Sequence, residues 1–426
     1  MGAYQTLLFF LWKGAYMEQK NENGKFLKGL FCGVILVLIC MAGCLLHLQW
    51  KMNRRAAVST DSEKTETLDM NLSQVKKKAG EIEELINAYY LDEIDEQKVE
   101  DTMYTGMVAG LEDPYSVYYS KEELESMEES ISGAYSGIGA TLTQDPDTGD
   151  LSVVSCFDGT PAQEAGLQPG DVITGWNGNS VEGMELSELV SKIKTDPEEQ
   201  LTLEIERDGE ILEVELTRRE VQIPTVEYEM LDDQIGYIRL VEFDEVTADQ
   251  FKEALEDLEN QNMKKLIIDV RNNPGGVLQV VCDMLDQLLP EGLIVYTEDK
   301  NGNRKEYTSD EEHQFTKPLA VLANENSASA SEIFAGAIQD YGIGTIVGTT
   351  TFGKGIVQRT FYLSDGTGVK LTVAKYYTPK GHDIHKKGIT PDVEIELDEE
   401  LKNQSSISHE EDNQLQKAIE VLQEEK

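Results

Sequence analysis

Residues 319–340 read LAVLANENSASASEIFAGAIQD. The stretch opens apolar and strand-like over Leu319–Leu322. It passes through Asn, Ser and Ala residues, then takes on helical spacing over Ser329–Asp340. A strand feeding a helix through a loop is the repeating unit of a layered sheet-and-helix core. The same alternation continues upstream. Strand-like Gly236–Val241 precedes helical Thr247–Asn260, and Leu266–Val270 precedes Val277–Leu289 across a glycine-rich loop. A serine at a strand-to-helix junction lies near free helix N–H groups, which can stabilise an oxyanion. Taken alone, Ser329 reads better as an ordinary helix cap than as a catalytic residue.

Before this core the pattern changes. Between Ser132 and Arg219 short β-like runs appear at Ile138–Leu142, Leu151–Val154, Val172–Trp176, Leu201–Arg207 and Leu212–Thr217. Glycines at 149, 170, 178 and 209 punctuate them, and one helical stretch, Ser187–Ile193, intervenes. Earlier still, Val75 to about Leu111 is helical in pattern. Asp113-Pro114-Tyr115-Ser116 interrupts it, and an acidic helix follows over Lys121–Ser130. Past Leu397 the chain is acidic and polar, with a short helix at Leu415–Leu422.

Near the N-terminus, Gly29–Leu48 is a run of 20 residues without Asp, Glu, Lys or Arg. A helix needs about 20 apolar residues to cross a bilayer. Basic residues flank both ends (Lys25 and Lys28, then Lys51, Arg54 and Arg55), so charge does not fix the orientation. Met41-Ala42-Gly43-Cys44 weakly resembles a lipoprotein cleavage box. The run continues through Leu45, Leu46 and Leu48, which favours an uncleaved anchor. Met17 offers a second candidate start.

The formal net charge is −43, which argues against nucleic acid as a partner. Cys156 and Cys282, the only cysteines outside the apolar run, form neither a disulfide framework nor a metal-ligand spacing. No metal and no cofactor is expected.

Two further stretches bear on hydrolysis. In Thr350-Thr351-Phe352-Gly353-Lys354-Gly355-Ile356-Val357-Gln358 a lysine stands between glycines and leads into an apolar run. Burial lowers a lysine's pKa from about 10.4, and a neutral amine can deprotonate a serine hydroxyl. The phosphate-binding pattern GxxxxGK[ST] is absent. In Asp269-Val270-Arg271-Asn272-Asn273-Pro274-Gly275-Gly276 a strand ends in a loop that can offer backbone N–H groups. Of five histidines, His47 lies in the apolar run and His409 in the tail, and His313, His382 and His385 show no triad order.

Together and in this order, these stretches resemble the carboxyl-terminal processing peptidases, or tail-specific proteases, over about residues 80–397. The resemblance implies a multidomain α/β fold: a ClpP/crotonase-like protease core, an inserted mostly-β PDZ domain and N-terminal helices. It implies Ser329 as nucleophile, Lys354 as general base, Gln358 as the amide that orients the amine, and oxyanion donors near Gly275, Gly276 and Ala330. Asp340 matches an acid sometimes assigned to such sites and is read here as structural. Ser136-Gly137-Ile138-Gly139-Ala140 resembles a PDZ carboxylate-binding loop, so Gly137, Ile138, Gly139 and Ala140 are candidates to hold a peptide C-terminus.

The expected organisation is a cytoplasmic segment 1–28, a transmembrane anchor 29–49, a linker 50–75, a helical region 76–130, a PDZ domain 131–220, a protease core 221–397 and an acidic tail 398–426. The implied partners are proteins and peptides with accessible C-termini, and the membrane. The N-terminal helices are candidates for homodimerisation. The chain is expected to be single-pass at the cell membrane, with its domains extracytoplasmic. Two other readings use the same residues: a catalytically silent PDZ scaffold, and a crotonase-like acyl-CoA enzyme, against which the anchor and the PDZ module argue.

Overall fold

The computed structural model describes residues 68–195, 200–402, 404 and 406–424. The expected anchor at 29–49 lies outside them. Among the described residues no helix is long and apolar enough to cross a membrane. The chain divides into two units at Ile94/Asp95. In the first unit, helix α1 (Leu72–Tyr89) starts at Asn71, whose side chain accepts the Gln74 N–H at 3.1 Å.

The second unit opens with α2 (Glu96–Ala109), β1 (Val117–Tyr119) and α3 (Lys121–Ser132). The single helical pattern expected over 75–111 is thus two helices. Asp95 caps the second, accepting the Lys98 N–H at 3.0 Å. A reciprocal Ser120–Glu123 capping box starts α3, and left-handed Gly133 ends it.

The β-rich module follows: β2 (Ala134–Gly137), β3 (Ala140–Gln144), β4 (Leu151–Cys156), α4 (Pro161–Glu164), β5 (Val172–Trp176), β6 (Asn179–Ser180), α5 (Leu186–Thr195), β7 (Gln200–Arg207), β8 (Glu210–Thr217) and β9 (Arg219–Gln222). Its antiparallel sheet runs β3-β4-β5-β7-β8, with β6 on β5. Alternate residues of β7, Leu201, Leu203 and Ile205, face a core of their own beneath Leu189 and Ile193 of α5. Strands β2 and β9 pair only with each other, Ala134 opposite Gln222 through Gly137 opposite Arg219. They form a two-stranded neck between module and core.

The core comprises β10 (Val226–Leu231), β11 (Ile235–Leu240), α6 (Thr247–Asn260), β12 (Lys265–Asp269), α7 (Leu278–Asp286), β13 (Gly292–Asp299), β14 (Arg304–Ser309), β15 (Leu319–Ala323), α8 (Ala330–Tyr341), β16 (Thr345–Gly348), β17 (Ile356–Tyr362), β18 (Gly368–Tyr377), β19 (Val393–Glu394) and α9 (Asn413–Glu424). Its main sheet runs β10-β11-β12-β15-β16-β19, parallel except at β10. Both faces are apolar, as parallel sheets require. Leu266, Ile268, Leu319, Val321 and Ile346 point to α6, α7 and α8. Ile267, Ala320, Leu322 and Val347 point to Leu415, Ala418 and Leu422 of α9. The acidic tail expected at 398–426 is therefore corrected: its last helix is a structural layer of the core. A second sheet, β1-β18-β13-β14 with β17 on β18, brings the segment after α2 onto the core.

Candidate active site

Ser329 stands at the N-cap of α8 with φ 55° and ψ −111°. Such a backbone suits glycine and costs a serine roughly 1–3 kcal/mol. The neighbouring loop holds it there. A Cβ added to Gly275 would lie 2.7 Å from the Ser329 Cβ and 2.7 Å from Ala328 O, so only glycine, here at φ 107°, fits. Buried Asn273 fastens this loop. Its amide donates to Leu240 O at 2.9 Å, and its carbonyl accepts Ala328 N–H at 3.0 Å and Ser331 Oγ at 2.9 Å.

The expected oxyanion donors separate. Gly275 N–H donates to Asn273 Oδ1 at 2.8 Å and is occupied. The N–H groups of Gly276 and Ala330 have no acceptor among the described residues. Both residues line the same cavity as Ser329, of about 1020 Å³. Val277, Ile333 and Ile356 line it with apolar side chains, and Met127 and Ser130 of α3 line it as well.

Lys354 lies in the loop before β17. Fully buried Glu332 binds this loop to the serine. Its carboxylate accepts Ser329 N–H at 2.9 Å, Lys354 N–H at 2.8 Å, Gly353 N–H at 2.7 Å and Thr351 Oγ1 at 2.6 Å. The Tyr376 hydroxyl, from β18, donates to Ser329 O at 2.9 Å and also contacts Lys354 O. Serine and lysine are thus fixed through their backbones. Burial, then the like charge of Lys370, pulls the Lys354 amine below the ordinary lysine range, while Glu332 acts in the opposite sense.

The side chains are arranged differently from expectation. The Lys354 amine lies 4.8 Å from the centroid of the Tyr115 ring, and no hydrogen bond joins it to Ser329 Oγ among the described residues. Gln358, on β17, does not reach the amine as expected; its Nε2 donates to Thr372 Oγ1 at 3.3 Å. Asp340 sits in the last turn of α8, about 16 Å along the helix from Ser329. It accepts Lys380 N–H at 2.8 Å and pairs with His382 Nδ1 at 3.3 Å, anchoring a loop as its structural reading requires. No histidine lines the cavity.

Sequence reasoning missed Glu332, Tyr376 and Tyr115. Glu332 had a signal, since Ser-x-x-Glu is a capping box. The two tyrosines come from distant segments and carry none.

In the β-rich module, Gly137, Ile138 and Gly139 form a turn beside β3, with Ile138 O accepting Ala162 N–H at 2.8 Å. All three are buried. The Tyr135 ring covers the turn: a Cβ on Gly137 would fall 2.3 Å from its Cε2. The Tyr135 hydroxyl faces the Gly139 N–H. Lys194 stands 5.0 Å over the same ring and pairs with Glu129 of α3 at 2.5 Å.

Three family profiles match the chain: "Peptidase family S41" over residues 234–395, "PDZ domain" over 153–207, and "Activating protease CtpB N-terminal domain" over 37–123. A "Carboxy-terminal processing protease CtpA" of Bacillus subtilis is 38% identical over 321 residues, 75% of this chain and 68% of that protein. A "Carboxyl-terminal-processing protease" of Synechocystis sp. is 38% identical over 322 residues, 74% of this chain and 75% of that protein. The solved structure of a photosystem II D1 C-terminal processing protease shares 31% identity, covering 74% of this chain and 86% of its own, with a TM-score of 0.44. A parallel-sheet core carrying a glycine-buttressed serine, an antiparallel module on a neck and this level of identity lead to one assignment: the chain belongs to the carboxyl-terminal processing serine proteases of peptidase family S41 and carries a PDZ domain.

Proposed function

We propose that this protease cleaves proteins selected by their free C-termini, with Ser329 as nucleophile and Lys354 as general base. The observation that carries the reading is Ser329 itself. It is held in a strained conformation at a helix N-terminus, on the wall of a cavity, with its backbone tied to that of Lys354 through Glu332. In this reading the neutral amine takes the hydroxyl proton as Oγ attacks the scissile carbonyl. The N–H groups of Gly276 and Ala330 stabilise the resulting oxyanion. The ammonium then protonates the leaving amine, and water hydrolyses the acyl-enzyme with the lysine again as base. The apolar wall of Val277, Ile333 and Ile356 supports acceptance of an apolar residue on the acyl side.

Gly137, Ile138, Gly139 and Ala140 are the residues proposed to hold the substrate C-terminus, which must displace Tyr135. Gly29–Leu48 is proposed as the anchor that keeps the domains at the outer face of the cell membrane. Self-association through the N-terminal helices belongs to the same reading, and α1 leaves Leu85 and Tyr89 exposed.

The test uses Ser329→Ala and, separately, Lys354→Ala in the full chain, with a substrate ending in an unstructured C-terminus. Both variants are expected to lose cleavage by at least a thousandfold. Cleavage retained by both would sink the assignment. Amidating the substrate C-terminus is expected to raise KM for the parent enzyme.

A further inference from the structure

Asp113-Pro114-Tyr115-Ser116 reads as a simple helix breaker, yet it ends beside the proposed base. Resting on the reading of Lys354 as that base, we propose that Tyr115 is its positioning residue: the ring face seats the ammonium, and the neutral amine leaves the ring for Ser329 Oγ.

The geometry begins with the amine, 4.8 Å from the ring centroid and within the range of a cation–π contact. Such a contact favours the charged form and fades when the proton is lost. The ring is held from behind. Asp113 Oδ1 accepts Tyr115 N–H at 3.1 Å, and Asp113 Oδ2 accepts Ser116 Oγ at 2.6 Å. Ser116 Oγ in turn accepts Thr372 N–H at 3.2 Å from β18. The Thr372 hydroxyl also bonds the Asp113 carboxylate and receives Gln358 Nε2 at 3.3 Å. Gln358 therefore supports the lysine at one remove, by bracing the loop that carries Tyr115.

The other groups acting on the amine are Lys370 of β18, which repels it, and Glu332 of α8, which attracts it. Tyr376 of β18 contacts only the Lys354 carbonyl, and His385 packs its backbone against Gly355. Lys370 has an aromatic seat of its own, 5.2 Å from the Tyr119 ring centroid. With burial and Lys370 both disfavouring the charge on Lys354, Tyr115 is the aromatic face that stabilises it.

The experiment measures the rate constant for labelling of Ser329 by a fluorophosphonate from pH 5 to 10, in the full chain. A rate constant reports folded enzyme only, so a partly unfolded variant remains interpretable. Tyr115→Leu keeps apolar bulk and removes the ring. Its rising limb is expected to move down by about half a pH unit, which is about threefold faster labelling on that limb. Tyr115→Phe keeps the ring and should retain the parent limb. An unmoved limb in Tyr115→Leu, or a Phe variant that shifts as far as Leu, overturns the proposal. Lys354→Ala separates the two levels. If it labels at the parent rate, the base assignment itself falls. If it is silent while Tyr115→Leu is unmoved, only the role of Tyr115 falls.

Discussion

At Ser329 the fold holds a strained backbone that its proposed role as nucleophile would explain. Glycine would adopt the φ of 55° freely. Ser329→Gly is therefore expected to be more stable than Ser329→Ala by about 1–2 kcal/mol in urea unfolding, with both expected to be inactive. Glu332 governs the same corner by a different means. Each of its oxygens accepts two donors, so replacing one oxygen with an amide NH₂ sets donors against donors. Glu332→Gln should lose about 2–4 kcal/mol of stability and at least a hundredfold in kcat/KM, with KM less affected. Thermal melts and steady-state kinetics on one preparation check both. Ser329 and Lys354 stood out as candidates because their flanking residues make a recognisable pattern. Their hydrogen-bond partners were not. The family resemblance implied that Gln358 touches the amine, whereas the strand it occupies directs it to Thr372.

Whole elements were more readable than contacts. The expected helix Thr247–Asn260 is found with the same bounds, because its apolar spacing survives in Phe251, Ala254 and Leu258. The tail's helix was legible at Leu415–Leu422, but its place in the core was not, because acidic residues dominate the tail and its few apolar positions look insufficient alone. They suffice because α9 covers a sheet face already built. Arg271, after β12, fastens it, reaching Asp269 at 2.7 Å and Asp412 at 2.7 Å across a nearly closed interface. Burial opposes ionisation of Asp412, but hydrogen bonds and charge from Arg271 outweigh it and hold the carboxyl below the usual aspartate range. With the folded pKa depressed, the stabilisation is complete above the unfolded value of about 3.9 and is lost as pH falls through the lower folded value. Asp412→Asn should cost about 2–4 kcal/mol at pH 7, and the gap to the parent should begin to narrow below about pH 4. Urea titrations at pH 7 and pH 3 read this. A gap unchanged at pH 3 would show that charge is not its source.

Among the described residues, the apolar core of the PDZ module shares no residue with the two clusters that cover the faces of the protease sheet. The module's entry and exit strands lie side by side. Residues 132–224 are accordingly expected to fold when expressed alone, with a single cooperative thermal transition. A broad, non-cooperative melt would mean that the module depends on the protease for its structure. Its strands could be read from alternation and glycine turns. The cover over its Gly137–Gly139 turn could not, because the Tyr135 ring folds back on a residue two places away and leaves no periodic trace. The neck has a mechanical consequence. Tension applied to the module travels along β2 and β9 in parallel, through covalent backbone, without loading the hydrogen bonds between them in shear. Backbone in strands is already near its full reach per residue, so it transmits tension with little stretch. On one side the neck continues through Gly133 into α3, whose Met127 and Ser130 line the cavity at Ser329. If the module holds substrates as proposed, a tug on one of them would reach, almost without slack, the wall of the cavity at Ser329.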